Sequence, residues 1–491
     1  MKTEQSQKIQ KWTAKDFVLN VVVCFINVII LCGLFACAIH LNGTLGEFLI
    51  DLSLMLRYLI LIAVSAAILW LFFFFEDRDF LRNAANSEML FLILEISLII
   101  SYALGRYVNV FLRPLALTAL LLLFLKNRRG AVFVDIIFCI LMMLVDNLPG
   151  ANTIISPYLI FMIGASSCIL ALYIMFKVYS RLKMLLSGFL ISIPAVIFVA
   201  VGFLDGNFDG AIENSICAVL SGPLSVALFI VLLPVFENLF KKLTSFKLAE
   251  LTDHKAGLIK KMIREAPGTF NHAIVVSNIA EACATAIDED ALLARTCAYY
   301  HDIGKLRRPE FFGENQPDGV NPHDDLTPEL STNIIKSHTQ DGYNLLLKHR
   351  LPVEIADVCL QHHGTMPILY FYDKARKFTD GEVDIKPYLY MGPKPKTKIA
   401  AIIMIADGCE AATRTLKDRS RDNVKKVVRK IVNDRMELGQ FDECEITIKE
   451  LNIIIHTVVN NLTGIYHSRV EYPKVSLDGL KEKTDDLSDG N

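Results

Sequence analysis

The first 240 residues repeat one feature: apolar stretches of about 20 residues, the length a helix needs to cross the hydrocarbon of a bilayer. They lie near 17–41, 48–75, 88–105, 107–125, 131–148, 154–176, 183–204 and 213–240. A polytopic helix bundle of about eight spans over 17–240, after a short segment 1–16, is the architecture this pattern allows. The whole chain is 53% hydrophobic with a mean hydropathy of +0.40, more apolar than an ordinary soluble protein. The first stretch is too long for a secretory signal and lacks a clear small-residue cleavage site, so it reads as retained.

Lysine and arginine sort into alternate loops. They flank the spans at Lys2, Lys8, Lys11 and Lys15, at Arg78 and Arg82, at Lys126, Arg128 and Arg129, at Lys177, Arg181 and Lys183, and at Lys241, Lys242 and Lys247. The intervening loops "LNGTLGE", "DNLPGANT" and "DGNFDGA" contain neither. Positive loops stay on the cytoplasmic side, so a multi-pass cell-membrane protein with both termini cytoplasmic is expected. Asp51, Arg57, Glu95, Arg113, Asp135 and Glu237 lie within or beside spans. Ionisable groups there are costly and hint at function, but pairing of Glu95 with Arg57 or Arg113 to fix helix packing is a simpler reading than a transport path.

Beyond Lys242 the hydropathy falls and the pattern turns helical. Residues 241–267 read as an amphipathic connector, 268–473 as an all-α domain, and 474–491 as a disordered charged tail. Helices are predicted near 270–287, 289–304, 328–348, 352–363, 397–416, 421–437 and 447–463, with a proline-broken loop at 383–397. The formal charge of −2 argues against a DNA or RNA polymer as partner. Eleven cysteines without a CxxC pair spell neither a zinc knuckle nor a disulfide framework; they read as reduced thiols.

The soluble half concentrates metal-ligand chemistry. His272, the pair His301 and Asp302, His338, the pair His362 and His363, and Asp407 each fall on or at the end of a predicted helix. Adjacent residues on a helix point about 100° apart, so each doublet can address two neighbouring ions. Any one of these histidines alone reads best as a satisfied core or surface residue; five of the eleven histidines in such settings favour a metal centre.

The order H…HD…H…HH…D resembles the HD-domain metal-dependent phosphohydrolases. The strings "APGTFNH", "YYHDIGKLRRPEFFGENQ", "NPHDDLTPELSTNIIKSHTQDG", "QHHGT", "YFYDKA", "GPKPKTK" and "GIYHSRVEYP" are similar to one branch, the seven-transmembrane HD family of PgpH-type cyclic di-AMP phosphodiesterases. The resemblance implies a cytoplasmic all-helical HD domain holding two divalent transition-metal ions, Mn2+ or Fe2+/Fe3+. It implies one ion on His272, His301, Asp302 and Asp407, and the other on Asp302, His338, His362 and His363. It implies cleavage of cyclic di-AMP to pApA by a metal-activated hydroxide, with Asp302 and Lys305 as catalytic residues. Two ions about 3.5–4 Å apart suit an anionic phosphodiester, because they acidify water and neutralise phosphate oxygens.

Lys305 and Arg308 would meet a second phosphate, although a solvated turn explains Arg307 and Arg308 equally well. His323 is a candidate substrate contact, with a loop-stabilising hydrogen bond as the simpler role, and Tyr370 a candidate ring for stacking adenine. Family members place a large extracellular domain after their first helix, where "LNGTLGE" stands here. The bilayer is the other expected partner, and a homo-oligomer stays open.

Two other readings stand beside this one. A receptor or transporter with a non-catalytic HD domain should lack ligands, and none of the positions is missing. A cyclic di-GMP hydrolase should carry a GYP string after its histidine pair, where this chain has "MPILYFY". Hydrolysis of another nucleotide such as guanosine tetraphosphate is left open by the residues.

Overall fold

The computed structural model describes residues 13–151, 156–175, 181–204, 210–316, 321–378 and 382–465. The expected tail at 474–491, most of segment 1–16 and most of the "GIYHSRVEYP" string lie outside these residues. The chain divides into two compact units, Met1–Ser245 and Phe246–Asn491. Among the described residues both are helical throughout, with one isolated bridge, Pro367 to Leu389, in place of any strand.

In the first unit, six helices are long and apolar enough to cross a membrane: Ala14–Leu41, Leu52–Glu76, Ala84–Tyr107, Pro157–Met175, Leu182–Phe203 and Ala211–Phe240. Two further segments fall short of that measure. Val110–Leu125 is short because Asn109 and Pro114 bracket a 3-10 turn at its start. Arg128–Asp146 carries Arg128, Arg129, Asp135 and Asp146 in 19 residues.

The pairing expected for Glu95 is not the one found. Arg113 donates two bonds to Asp146, at 2.5 and 2.9 Å, both side chains nearly inaccessible. Glu95 is buried with its Oε1 unpartnered among the described residues. Arg113 lies past the end of the Ala84–Tyr107 helix, so the aspartate closing the Arg128–Asp146 helix is the carboxylate it reaches.

The second unit is built around two apolar helices. Pro267–Ala286 buries Phe270, Ala273, Val276, Ile279, Ala280, Cys283 and Ala284 on its inner face. Lys398–Arg414 buries every residue from Ile399 to Ala406 and so runs through the core. A helix apolar on all sides is stable only when surrounded; Pro267–Ala286, Ala291–Tyr300, Arg421–Glu437 and Ile448–Ile465 all pack against it. Pro328–Lys348 and Val353–Gln361 cover the other side of Ala291–Tyr300 and the turn that follows it.

Element positions follow the sequence closely except in two places. The helix expected over 289–304 stops at Tyr300, and Ile303–Arg307 continues as a 3-10 turn. Leu369–Phe378, for which no helix was predicted, is helical and buries Phe371 and Ala375 against Tyr388.

Candidate metal centre

The HD pair sits where the Ala291–Tyr300 helix ends, and Gly304 explains why the chain turns there. A Cβ at Gly304 would overlap the carbonyl oxygen of His338 and lie 2.5 Å from the amide nitrogen of Gly342. The missing side chain lets the turn lie directly on the Pro328–Lys348 helix, bringing His301 and Asp302 level with His338. Gly304→Ala is therefore expected to cost about 1–3 kcal/mol by overpacking and to displace His338. Thermal unfolding together with metal content checks this; a variant that melts and binds metal like the parent would refute it.

Five helices and the turn after Ala291–Tyr300 deliver the seven expected ligands to one place. His272, His301 and Asp407 form one group, and Asp302, His338, His362 and His363 a second, each with its ligand atoms within 4.8 Å of one another. Asp302, 2% exposed, stands between them. Its Oδ1 lies 3.3 Å from His338 Nε2 and 3.6 Å from His362 Nε2, while its Oδ2 lies 3.3 Å from His301 Nε2 and 3.6 Å from His272 Nε2. His272 Nε2 is also 3.2 Å from Asp407 Oδ1, and His363 Nδ1 is 3.8 Å from Asp407 Oδ2.

The outer hydrogen bonds fix which ring nitrogens are free. His301 Nδ1 donates to the Ala298 carbonyl at 2.7 Å, His338 Nδ1 to that of Ile335 at 2.6 Å, and His362 Nδ1 to that of Val358 at 3.1 Å. His272 Nδ1 instead meets the Glu410 carboxylate at 2.6 Å. With Nδ1 donating to a carbonyl, the Nε2 of His301, His338 and His362 keeps its lone pair and points inward.

Acceptors therefore face acceptors. His338 Nε2 and His362 Nε2 are 3.3 Å apart, and both approach Asp302 Oδ1. Among the described residues neither His301 Nε2 nor Asp302 Oδ1 has a hydrogen-bond partner, although both residues are buried. Burying such groups unpartnered is costly, and a cation among them removes the cost. Five imidazoles and two carboxylates without a thiolate suit a first-row transition ion.

The electrostatics agree with a site made for positive charge. Burial pushes the Asp302 carboxyl up, but Lys305 and His301 outweigh it and hold the group well below the usual carboxylate range. Burial likewise raises Asp407, and His272 and His363 bring it far down. Burial lowers His272, yet hydrogen bonds to Asp407 and Glu410 raise it to about 10. Metal uptake at that imidazole must displace its proton, so affinity there falls as pH falls. His363 is held well below its ordinary value, by burial first and then by the neighbouring His362.

The other candidate residues are placed differently. Lys305, 13% exposed, bonds Asp302 Oδ2 at 2.8 Å and Glu314 Oε1 at 2.7 Å, so two of its three donors are engaged with carboxylates. Arg307 pairs with Asp341, and Arg308 is exposed with no ion pair among the described residues. His323 is 5% exposed and its Nε2 meets the Phe311 carbonyl at 2.9 Å, the loop-tying contact. Tyr370 is 67% exposed, outside the metal cluster.

Three residues join the site that the sequence reading had not singled out. Glu314 receives Lys305 and the Thr269 hydroxyl. Tyr390 stacks on His363 with centroids 4.3 Å apart and fixes the plane of that ring. Glu410 lies one turn beyond Asp407 on the same helix, a D-x-x-E spacing visible in the sequence.

Known proteins share both halves of this chain. Residues 52–244 match the family described as 7TM receptor with intracellular HD hydrolase, and residues 269–412 match the HD domain. The chain is 38% identical over 410 residues to the cyclic-di-AMP phosphodiesterase PgpH of Bacillus subtilis, covering 82% of this chain and 56% of that protein. It is 40% identical over 368 residues to PgpH of Listeria monocytogenes, covering 74% of this chain and 50% of that protein. The chain thus spans about half the length of the curated relatives it matches. The crystal structure of the L. monocytogenes PgpH HD domain in complex with cyclic-di-AMP is 48% identical, with 44% of this chain and 99% of that one covered and a TM-score of 0.42.

Proposed function

Because the chain belongs to the family of 7TM receptors with intracellular HD hydrolase domains, we propose that it is a membrane-anchored phosphodiesterase opening cyclic di-AMP to pApA. The substrate comes from the relatives named for that activity, and the product pApA from the resemblance of the sequence strings to that family. The observation that carries the chemistry is Asp302, whose two oxygens face two separate imidazole groups. His272, His301, Asp302 and Asp407 would hold one divalent manganese or iron ion, and Asp302, His338, His362 and His363 the other. Such a pair supplies positive charge to the non-bridging phosphate oxygens and lowers the pKa of attacking water.

The chain's own residues do the rest. Asp302 would offer both oxygens to such ions, and Lys305, itself anchored by Glu314, holds its carboxylate in place. The backbone carbonyls behind His301, His338 and His362 keep their lone pairs directed inward. Tyr390 keeps His363 from rotating. Arg308, exposed and without an ion pair among the described residues, is available to the second phosphate of a cyclic dinucleotide. Tyr370 offers an exposed ring for a base and His323 a positioned loop. In this reading the membrane region spans about eight times over 17–240, the connector is 241–267, and the HD domain of 268–473 is cytoplasmic, as are both termini.

Every proposed ligand lies in the second compact unit, so purified residues 241–491 are expected to fold and cleave cyclic di-AMP with Mn2+ or Fe2+ added. A panel of cyclic di-AMP, cyclic di-GMP and guanosine tetraphosphate, with products separated by chromatography, tests the assignment. Cyclic di-AMP converted fastest, to pApA, supports it. A folded, metal-loaded fragment that is idle while the full chain is active in lipid, or that prefers guanosine tetraphosphate, overturns it.

A further inference from the structure

Of the four imidazoles whose Nδ1 contact is defined above, three rest on a backbone carbonyl and one on a carboxylate. We propose that this carboxylate, Glu410, makes the two metal positions unequal, so that the position of His272, His301 and Asp407 takes its ion first and holds it more tightly. The inference rests on the two-metal reading above and goes beyond it by assigning an order of filling and the residue that sets it.

Glu410 is 2% exposed, and its Oε2 lies 2.6 Å from His272 Nδ1. It stands three residues after Asp407 on the Lys398–Arg414 helix, so the two carboxylates project from one face and meet the imidazole at its two nitrogens, Asp407 from 3.2 Å at Nε2. Among the described residues the remaining oxygen, Oε1, has one cation near it: Arg414, half-exposed and 3.9 Å away. Most of the Glu410 charge therefore acts on the His272 ring. A carboxylate behind a ligating imidazole fixes its orientation and raises its basicity.

The charge count separates the two positions. Asp302 is common to both. The first position adds the carboxylate of Asp407 as ligand and that of Glu410 one bond further out, whereas the second adds three imidazoles. His338 and His362 in that second group have neutral carbonyls behind them. A divalent ion in a buried site is favoured where negative charge is greater, which is the first position. Glu410 acts through His272 and is a positioning residue.

The test uses the full chain, stripped of metal and titrated with Mn2+, with metal analysis and electron paramagnetic resonance at each step. The parent is expected to show a mononuclear signal up to one equivalent, then the signal of a coupled pair. Glu410→Gln keeps an acceptor for Nδ1 and removes the charge; the first equivalent should then bind about 10–100-fold more weakly, with the two equivalents entering together. Glu410→Asp, which keeps the charge, should retain the stepwise order, and it carries the test if the glutamine variant fails to fold. His338→Ala should still take up the first equivalent. A stepwise titration of parental tightness in Glu410→Gln, or a parent that fills both positions together, overturns the inference while leaving two metals in place. A parent that takes up no Mn2+ overturns the two-metal reading itself.

Discussion

Asp302→Ala is expected to drop cyclic di-AMP cleavage to background and to lower metal content at both positions. The carboxylate faces two imidazoles of each histidine group, Oδ1 toward His338 and His362 and Oδ2 toward His272 and His301, whereas Asp407 meets one of each, His272 at 3.2 Å and His363 at 3.8 Å. An imidazole offers one lone pair to one ion, whereas a carboxylate offers two oxygens. Loss of His338 should chiefly empty the second position, and loss of Asp302 should weaken both. His323→Ala serves as the contrast, because its Nε2 ties down the Phe311 carbonyl and metal content should stay at the parental level. Metal stoichiometry and turnover measured together separate these outcomes; two ions retained in Asp302→Ala would refute the shared role.

Lys305→Met is expected to destabilise the HD domain by about 3–5 kcal/mol, the usual cost of removing one partner from a buried ion pair. Lys305 is 13% exposed and separates Asp302 at 2% from Glu314 at 11%. Burial alone would lower the lysine, but Asp302 and Glu314 raise it above its ordinary value. Without the ammonium, two buried carboxylates face each other across the gap. Glu314, raised by burial and brought net below its ordinary value by Lys305, would lose the group that keeps it ionised. Chemical unfolding of the metal-free domain measures the effect. A lysine whose main role is to grip a second phosphate would instead leave stability near parental and raise KM, so the two measurements distinguish structural and substrate roles.

The residues that cluster at the site were legible because their chemistry is carried by short local strings. "YYHDIGK" contains the doublet, the glycine that permits the close turn and the lysine that holds the aspartate. The Pro328–Lys348 helix was readable at its start, since Thr327 caps it and Pro328 occupies its first turn. Leu369–Phe378 was missed because "LYFYDKARKF" mixes aromatic and charged residues without a clear apolar stripe. Its inner face is defined by Tyr388, which lies beyond its end.

Glu410 and Tyr390 were missed for a different reason. The His272–Glu410 contact joins residues 138 positions apart, and only the folded core brings their helices together. Tyr390 follows a loop rather than a periodic element, and its stacking on His363 depends on the path of that loop. In the membrane unit the sequence named the charged residues but offered Arg57 or Arg113 as partners of Glu95, whereas Arg113 pairs with Asp146 and Glu95 Oε1 has no hydrogen-bond partner among the described residues.

The most direct test of the account is anomalous diffraction from crystals of residues 241–491 grown with Mn2+ and recorded at the manganese edge. Two peaks are expected, one among His272, His301 and Asp407 and one among His338, His362 and His363, with the Asp302 carboxylate in contact with both. A single peak, or two peaks with Asp302 bound to one, would contradict it.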